Sequence, residues 1–424
     1  MSATKEHHNP PFRAEHLGSL LRPKELLEKR QAVHEGKLKP EALKSVEDAS
    51  IKQAVEKQIE LGFRALTDGE YTRHMFWGSF WPTLEGMKEV QQPSLDMFRT
   101  YVPDMAAFLE TNHVPGETVI CVGKIRHKGK SSYISQVEHL KTLVPKERWD
   151  EIKLTLAAPN WYHLRYREGQ AYPTDVYSSD EEYFADIAKA YQTELDILYK
   201  AGVRNVQYDD PNLACKSLIE RAMRNTVRKA HNAADFCSES MLDGWKNDDR
   251  NKRSSDETLD AYIKLYNDCI AKVPADMHIG IHLCRGNFVG SRHFAEGAYD
   301  RIATKLFQTL NASTYYLEYD TPRAGGFAPL AALPAHKNAV LGVVTSKFPK
   351  LEDKEEMKRR VYEAADVVAA GRGQTREQAL NSLGVSPQCG FASHEEGNLI
   401  DWDGMWRKLQ LVRQIADEIW PGQA

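Results

Sequence analysis

The chain has 424 residues, with 56 basic against 60 acidic side chains and a formal net charge of -4, enough length for one elaborated barrel or two domains. This near balance, with Lys and Arg scattered and no basic stripe interleaved with aromatics, argues against nucleic acid or a membrane surface as partner. Six cysteines are too sparse for a disulfide framework, and neither a signal peptide nor a membrane-spanning run is evident, so a soluble, reduced, cytoplasmic protein is expected.

Residues 1–10 are polar, carry paired histidines, and are expected to form a disordered tail. Residues 11–424 are expected to form a single barrel domain, elaborated around 83–150. Ile51, Val55 and Ile59 fall four apart on one helix face, Gly62 ends that helix, and the buried run FRALTDGE follows. The same order recurs further on. Phe184, Ile187, Tyr191, Leu195 and Leu198 mark an amphipathic helix opened by the capping box Ser179-x-x-Glu182; Gly202 closes it and VRNVQYDD follows. Between the two, 83–117 and 124–150 are polar and weakly periodic, which predicts loops and helices over or beside a barrel mouth.

Further candidate strands are TVICVG, IKLTLA, HIGIHLC, TYYLEY, VLGVVT and a short run before Cys389. Helices alternating with apolar strands predict parallel α/β architecture, specifically a (β/α)8 TIM barrel with insertions. The strand count runs one over eight, so one candidate is misassigned or accessory. WKNDDRNKRSSDE (245–257) is expected to be a solvated loop or linker. The last helix places Met405, Leu409, Val412, Ile415 and Ile419 on one face, to pack on the barrel wall. Polar residues collect at strand C-termini (Ser19, Glu70, Asp209, His282, Cys284, Glu318), the end where such barrels keep their chemistry.

His282 and Cys284 form an H-x-C pair, and side chains at i and i+2 leave the same face of a strand. An isolated H-x-C pair is more often a buried thiol beside a hydrogen-bonded histidine. With Glu318 and Cys389, however, the set supplies four nitrogen, sulfur and oxygen ligands of the kind tetrahedral zinc accepts. A carboxylate is the ligand most easily displaced by an incoming thiol, which points to a catalytic rather than a structural metal.

With these motifs, most of the chain, from RAEHLGSLLRP to the last helix, resembles the C-terminal catalytic barrel of cobalamin-independent methionine synthase, a fold shared with the uroporphyrinogen decarboxylases. The resemblance implies that His282, Cys284, Glu318 and Cys389 bind catalytic Zn2+, and the flanking Asn287, Pro387 and Gly390 match as well. It implies that Gly18-Ser19 holds an amino-acid substrate and that Glu70 and Asp209 contact its ammonium. A zinc-activated thiolate of homocysteine or a similar small thiol would then attack a methyl donor, a methylated folate in the family, as in methionine biosynthesis.

Two departures weaken the folate half. Thr345 stands where the family has a histidine that assists proton transfer to the leaving group. Pro159 takes the place of a family tryptophan, with Trp161 two residues on as the candidate donor-stacking residue. Alkyl transfer to another thiol or from a non-folate donor is therefore the alternative within the class. A metal-independent decarboxylase-like barrel and a non-catalytic zinc or thiol-binding protein are the alternatives outside it. Arg285, next to Cys284, hints at an anionic group nearby, with a place on an exposed loop as the expectation.

Overall fold

The structure, a computed structural model, describes residues 10–110, 116–213, 239–294 and 297–423. All but the last residue of the expected N-terminal tail thus lies outside the described residues. The described strands are β1 (Leu84–Gln91), β2 (Glu117–His127), β3 (Lys153–Ala157), β4 (Asn205–Asp210), β5 (His278–Leu283), β6 (Thr314–Glu318), β7 (Asn338–Val344) and β8 (Leu383–Pro387). The helices are α1 (Lys24–His34), α2 (Glu41–Glu60), α3 (Pro103–Glu110), α4 (Ile134–Leu143), α5 (Asp180–Lys200), α6 (Glu239–Asn247), α7 (Ser255–Ile270), α8 (Asp300–Thr309), α9 (Lys354–Arg372), α10 (Arg376–Leu380) and α11 (Trp402–Ile419).

Strands β3 to β8 form one parallel sheet in chain order. Nearly every residue in them is buried, the pattern of a sheet covered on both faces. Two extended segments complete the ring. Ala14 bridges Val385 on β8, with Glu15 N donating to Val385 O at 2.9 Å and Val385 N to Arg13 O at 2.8 Å. Leu66 bridges Ile152, and Lys153 N donates to Leu66 O at 2.9 Å. These segments meet each other through Leu20 N to Gly69 O (3.1 Å) and Thr67 Oγ1 to Gly18 O (2.9 Å). Eight staves thus enclose the core, the first two of them too short to register as strands. The interior holds a buried ion pair: Lys153 Nζ lies 2.9 Å from Glu15 Oε2 and donates to His16 O at 2.9 Å.

The surplus strand is TVICVG. It lies in β2, paired antiparallel with β1 and outside the barrel sheet. The 83–117 stretch, expected as loops and helices, therefore contributes a strand as well as α3. A bulge between Glu85 and Met87 hides the alternation that would mark β1. Gly86 permits it: φ is +78°, and a Cβ there would come 2.5 Å from Lys124 O.

The helix expectations fare well. Ile51 and Val55 of α2 are buried, and Gly62 at φ +80° turns the chain back. On α11, Met405, Leu409, Val412, Ile415 and Ile419 all pack into the core. The Ser179 hydroxyl caps α5 by accepting from Glu182 N (3.4 Å), but the Glu182 carboxylate accepts from Ser178 N rather than completing a box on Ser179. Residues 245–257 are not wholly a solvated linker: Trp245 is buried, with the Arg99 guanidinium 4.5 Å from its ring centroid, and Ser254 and Glu257 form a capping box on α7.

Candidate metal centre and its cavity

His282 on β5, Cys284 just beyond that strand and Cys389 just beyond β8 are brought together, all buried, with one ligand atom from each within 4.8 Å of the others. Parallel strands place these residues at one end of the barrel. The His282 ring is oriented by Tyr316 O, 3.2 Å from Nδ1, which leaves Nε2 facing Cys389 Sγ at 3.4 Å. Cys284 Sγ accepts from Gly286 N at 3.2 Å. The Cys389 thiol is held well below its ordinary range by a hydrogen bond with Cys284 and then by His282, which together outweigh burial. Burial would lower His282, but Cys389 and Asp209 hold it up.

Glu318 ends β6 beside this cluster, but its carboxylate lies outside the group of three ligand atoms. Oε2 accepts from Arg285 N at 2.8 Å, and Oε1 is 2.5 Å from the Arg323 guanidinium. Burial would raise the acid, but Arg323, Arg285 and Lys347 keep it below the usual carboxylate range. Arg285 is accordingly not on an exposed loop. It is fully buried and donates to Gly297 O, Tyr299 Oη, Glu318 O and Ala324 O.

Ser19, Glu70, Asp209 and Trp161 line the same cavity of about 560 Å³ as His282, Cys284 and Cys389. Glu70 sits at φ +63°, and its carboxylate is fixed by Arg73 (2.8 Å) and by the Thr155 hydroxyl (2.7 Å). Asp209 Oδ1 accepts from Gln207 Nε2 at 2.6 Å, and burial, then the neighbouring charge of Glu70, push Asp209 up to about 7. Ser19 is pressed against the Cys389 loop: a Cβ on Gly390 would fall 1.9 Å from its Oγ. Trp161 meets Phe76 edge-on at 4.9 Å, and the Arg165 guanidinium lies 4.3 Å from its ring centroid.

Thr345 does not line the cavity. Its backbone N donates to Glu352 (2.9 Å), and the stretch it belongs to fastens the ligand loops: Ser346 Oγ donates to Gly390 O (3.0 Å) and Lys347 Nζ to Gly286 O (3.2 Å). Asn287, flagged by its motif, ties the same loops by donating to Gly390 O at 2.7 Å.

Part of the cavity wall carries no motif that marks it in the sequence. His74 and Glu117, an ion pair, join the turns after Glu70 to the hairpin, and His394 follows Cys389 by five residues. Phe76, Phe108, Phe288 and Phe294 supply apolar wall. The only available signal was the run Ser393-His394-Glu395-Glu396, a polar cluster so close behind a proposed ligand.

A parallel eight-stave barrel with His, Cys and Cys gathered at the strand C-termini defines a single-barrel protein of the cobalamin-independent methionine synthase type. No family model matches the chain. It is 34% identical over 422 residues to the uncharacterized protein YxjH of Bacillus subtilis, covering 98% of this chain and 97% of that one. It is 32% identical over 413 residues to the uncharacterized protein YxjG of the same organism, covering 97% and 95%. A Listeria monocytogenes structure, provisionally described as a vitamin-B12-independent methionine synthase, aligns with TM-score 0.62 and 26% identity over 98% of this chain and 99% of that one. A B12-independent methionine synthase from Shewanella sp. W3-18-1, solved with selenomethionine, aligns with TM-score 0.58 and 16% identity over 96% and 97%, a likeness of fold. The chain belongs to the family of YxjH and YxjG, and its fold is that of the cobalamin-independent methionine synthase-like single barrels.

Proposed function

We propose that the chain is a zinc-dependent methyltransferase acting on a small amino thiol such as homocysteine. The observation that carries this is the His282, Cys284 and Cys389 cluster at the wall of a cavity that also contains Ser19, Glu70 and Asp209. One nitrogen and two thiolates suit zinc and leave room for a further ligand, the composition of catalytic rather than closed structural sites. Glu318 is the proposed fourth ligand, to be released from Arg323 when it serves. Bound zinc would stabilise a substrate thiol as its thiolate at neutral pH.

The chain's own residues supply binding and orientation. Glu70 and Asp209 receive the substrate ammonium, and Ser19 holds the amino-acid end against the Cys389 loop. Trp161 and Phe76 give a flat methyl donor an apolar surface and limit water around the reacting carbon. In this proposal residues 11–424 act as one domain, with 83–150 roofing the cavity. Among the described residues no helix is long and apolar enough to cross a membrane.

Metal analysis and calorimetry on the purified protein test the proposal. One zinc per chain, homocysteine binding abolished by chelator, and loss of both zinc and transfer in Cys389→Ser are expected. Protein that lacks zinc after careful preparation, or a Cys389→Ser variant that keeps zinc and activity, would exclude it.

A further inference from the structure

An N-methyl donor releases its nitrogen as a poor leaving group unless that nitrogen takes a proton as the C–N bond breaks. Thr345 cannot provide one: a threonine hydroxyl is a poor acid at neutral pH, and its side chain is outside the cavity. The cavity lining does contain an imidazole outside the metal cluster. His394 lines it from the loop that carries Cys389, is only 3% exposed, and holds its Nε2 buried without a hydrogen-bond partner. Leaving such a nitrogen unpaired is unfavourable, and a bound ligand offering a partner would recover that cost.

The other ring nitrogen is engaged. Nδ1 donates to Glu396 Oε2 at 3.0 Å, and Glu396 is held below the usual carboxylate range chiefly by this bond. A carboxylate on Nδ1 fixes the ring's orientation and leaves Nε2 as the free edge. The remaining charged neighbours are already committed: Glu395 pairs with Arg30 at 3.1 Å, and Arg22 donates to His394 O at 3.4 Å. The edge of Phe288, with ring centroids 6.1 Å apart, limits how far the imidazole can turn. Two further titratable groups of the cavity lining are less suited. His74 is engaged by Glu117, and Asp209 lies with Glu70 on the side assigned to the amino thiol.

We propose that His394, oriented by Glu396, is the catalytic proton donor to the leaving nitrogen of an N-methyl donor; this rests on the methyl-transfer function above. A lone pair of the substrate thiolate forms the S–CH3 bond as the C–N bond breaks. The electron pair of that bond stays on nitrogen, which takes the proton from Nε2. The ring is left neutral with its Nδ1 proton on the Glu396 bond, and a proton from solvent restores it.

The test compares wild type with His394→Gln as zinc-loaded protein, homocysteine as acceptor, and two donors. Methyltetrahydrofolate needs a proton on its leaving nitrogen; trimethylsulfonium leaves as a neutral thioether and needs none. With the folate donor, kcat is expected to fall by about 10²- to 10⁴-fold, with transfer from the sulfonium and calorimetric homocysteine binding kept within about threefold. Glu396→Gln should show a smaller loss with the same donor selectivity. Imidazole added to His394→Ala should restore part of the folate-dependent rate, a readout that stands even where wild type accepts the folate alone. Equal losses on both donors, no loss on either, or no rescue by imidazole overturns the assignment. Wild-type transfer from the sulfonium but not from the folate overturns it while leaving the methyltransferase function intact. Transfer from neither donor, despite zinc and thiol binding, removes that function as well.

Discussion

Asp209→Asn is the substitution that most directly probes how the cavity holds a substrate. Asp209 is 9% exposed, faces Glu70, and has its Oδ1 engaged by Gln207 at 2.6 Å. Asparagine keeps the size and the Gln207 contact but removes the charge. A hydrogen bond between charged groups contributes about 1.5–3 kcal/mol, so homocysteine should bind about 10- to 150-fold more weakly. Because Asp209 is pushed up to about 7, the comparison belongs at pH 8, where the carboxylate is ionised and its full contribution is seen. At pH 7 about half the population is protonated, which trims the wild-type advantage by about twofold. Calorimetry with homocysteine and with 4-mercaptobutyrate, the same thiol acid without the amine, isolates the ammonium contact. The deaminated thiol should bind both proteins equally and weakly. If Asp209→Asn binds homocysteine like wild type, or weakens both ligands by the same factor, Asp209 does not receive the ammonium.

Three further outcomes follow from the barrel itself. Lys153→Met leaves Glu15 buried and unpaired at the centre of the barrel, where both side chains are fully inaccessible, and should cost about 3–5 kcal/mol in urea unfolding. A loss below about 1 kcal/mol would mean that Glu15 finds another partner. Burial, and then the charge of Lys153, depress His16 and His278 to about 3, so the unfolded chain binds protons that the folded one refuses. Stability is therefore complete above the ordinary histidine value and falls as pH drops below it, by about 3 kcal/mol for the pair at pH 5.5. His278→Gln should remove about half of that slope; an unchanged slope would place the titration elsewhere. Gly390→Ala would drive a methyl group to 1.9 Å from Ser19 Oγ and displace Ser19 from the Cys389 loop. Its thiol affinity, measured by calorimetry, should fall at least tenfold (about 1.4 kcal/mol) with the unfolding midpoint little changed; retained affinity would remove Ser19 from the binding surface.

What the sequence disclosed and what it concealed divide along physical lines. His282 and Cys284 are legible because a strand repeats every two residues, and the amphipathic faces of α2, α5 and α11 because a helix repeats every 3.6. Both are local regularities written into consecutive residues. The second stave was read as a strand from its apolar run FRALTDGE and the first only from Ser19 at its end, although each pairs through only a single bridge on its sheet side. The hairpin was misread because the bulge at Gly86 breaks the alternation of β1, while β2 carries an apolar run like that of a barrel strand. Compensating charge is the least legible feature. Arg285, Arg323 and Lys347 come from three separate loops, and no spacing rule links them to Glu318. As anions, Cys284, Cys389 and Glu318 would by themselves leave the site with excess negative charge. The charge beside the sulfur cluster is offset by buried guanidinium and ammonium groups, so the nucleophilicity of a bound thiol cannot be attributed to excess negative charge alone. It depends on whether Glu318 stays with Arg323 or turns toward the cluster, an exchange between two partners that a buried carboxylate cannot forgo together, because either position must supply the charge that burial demands.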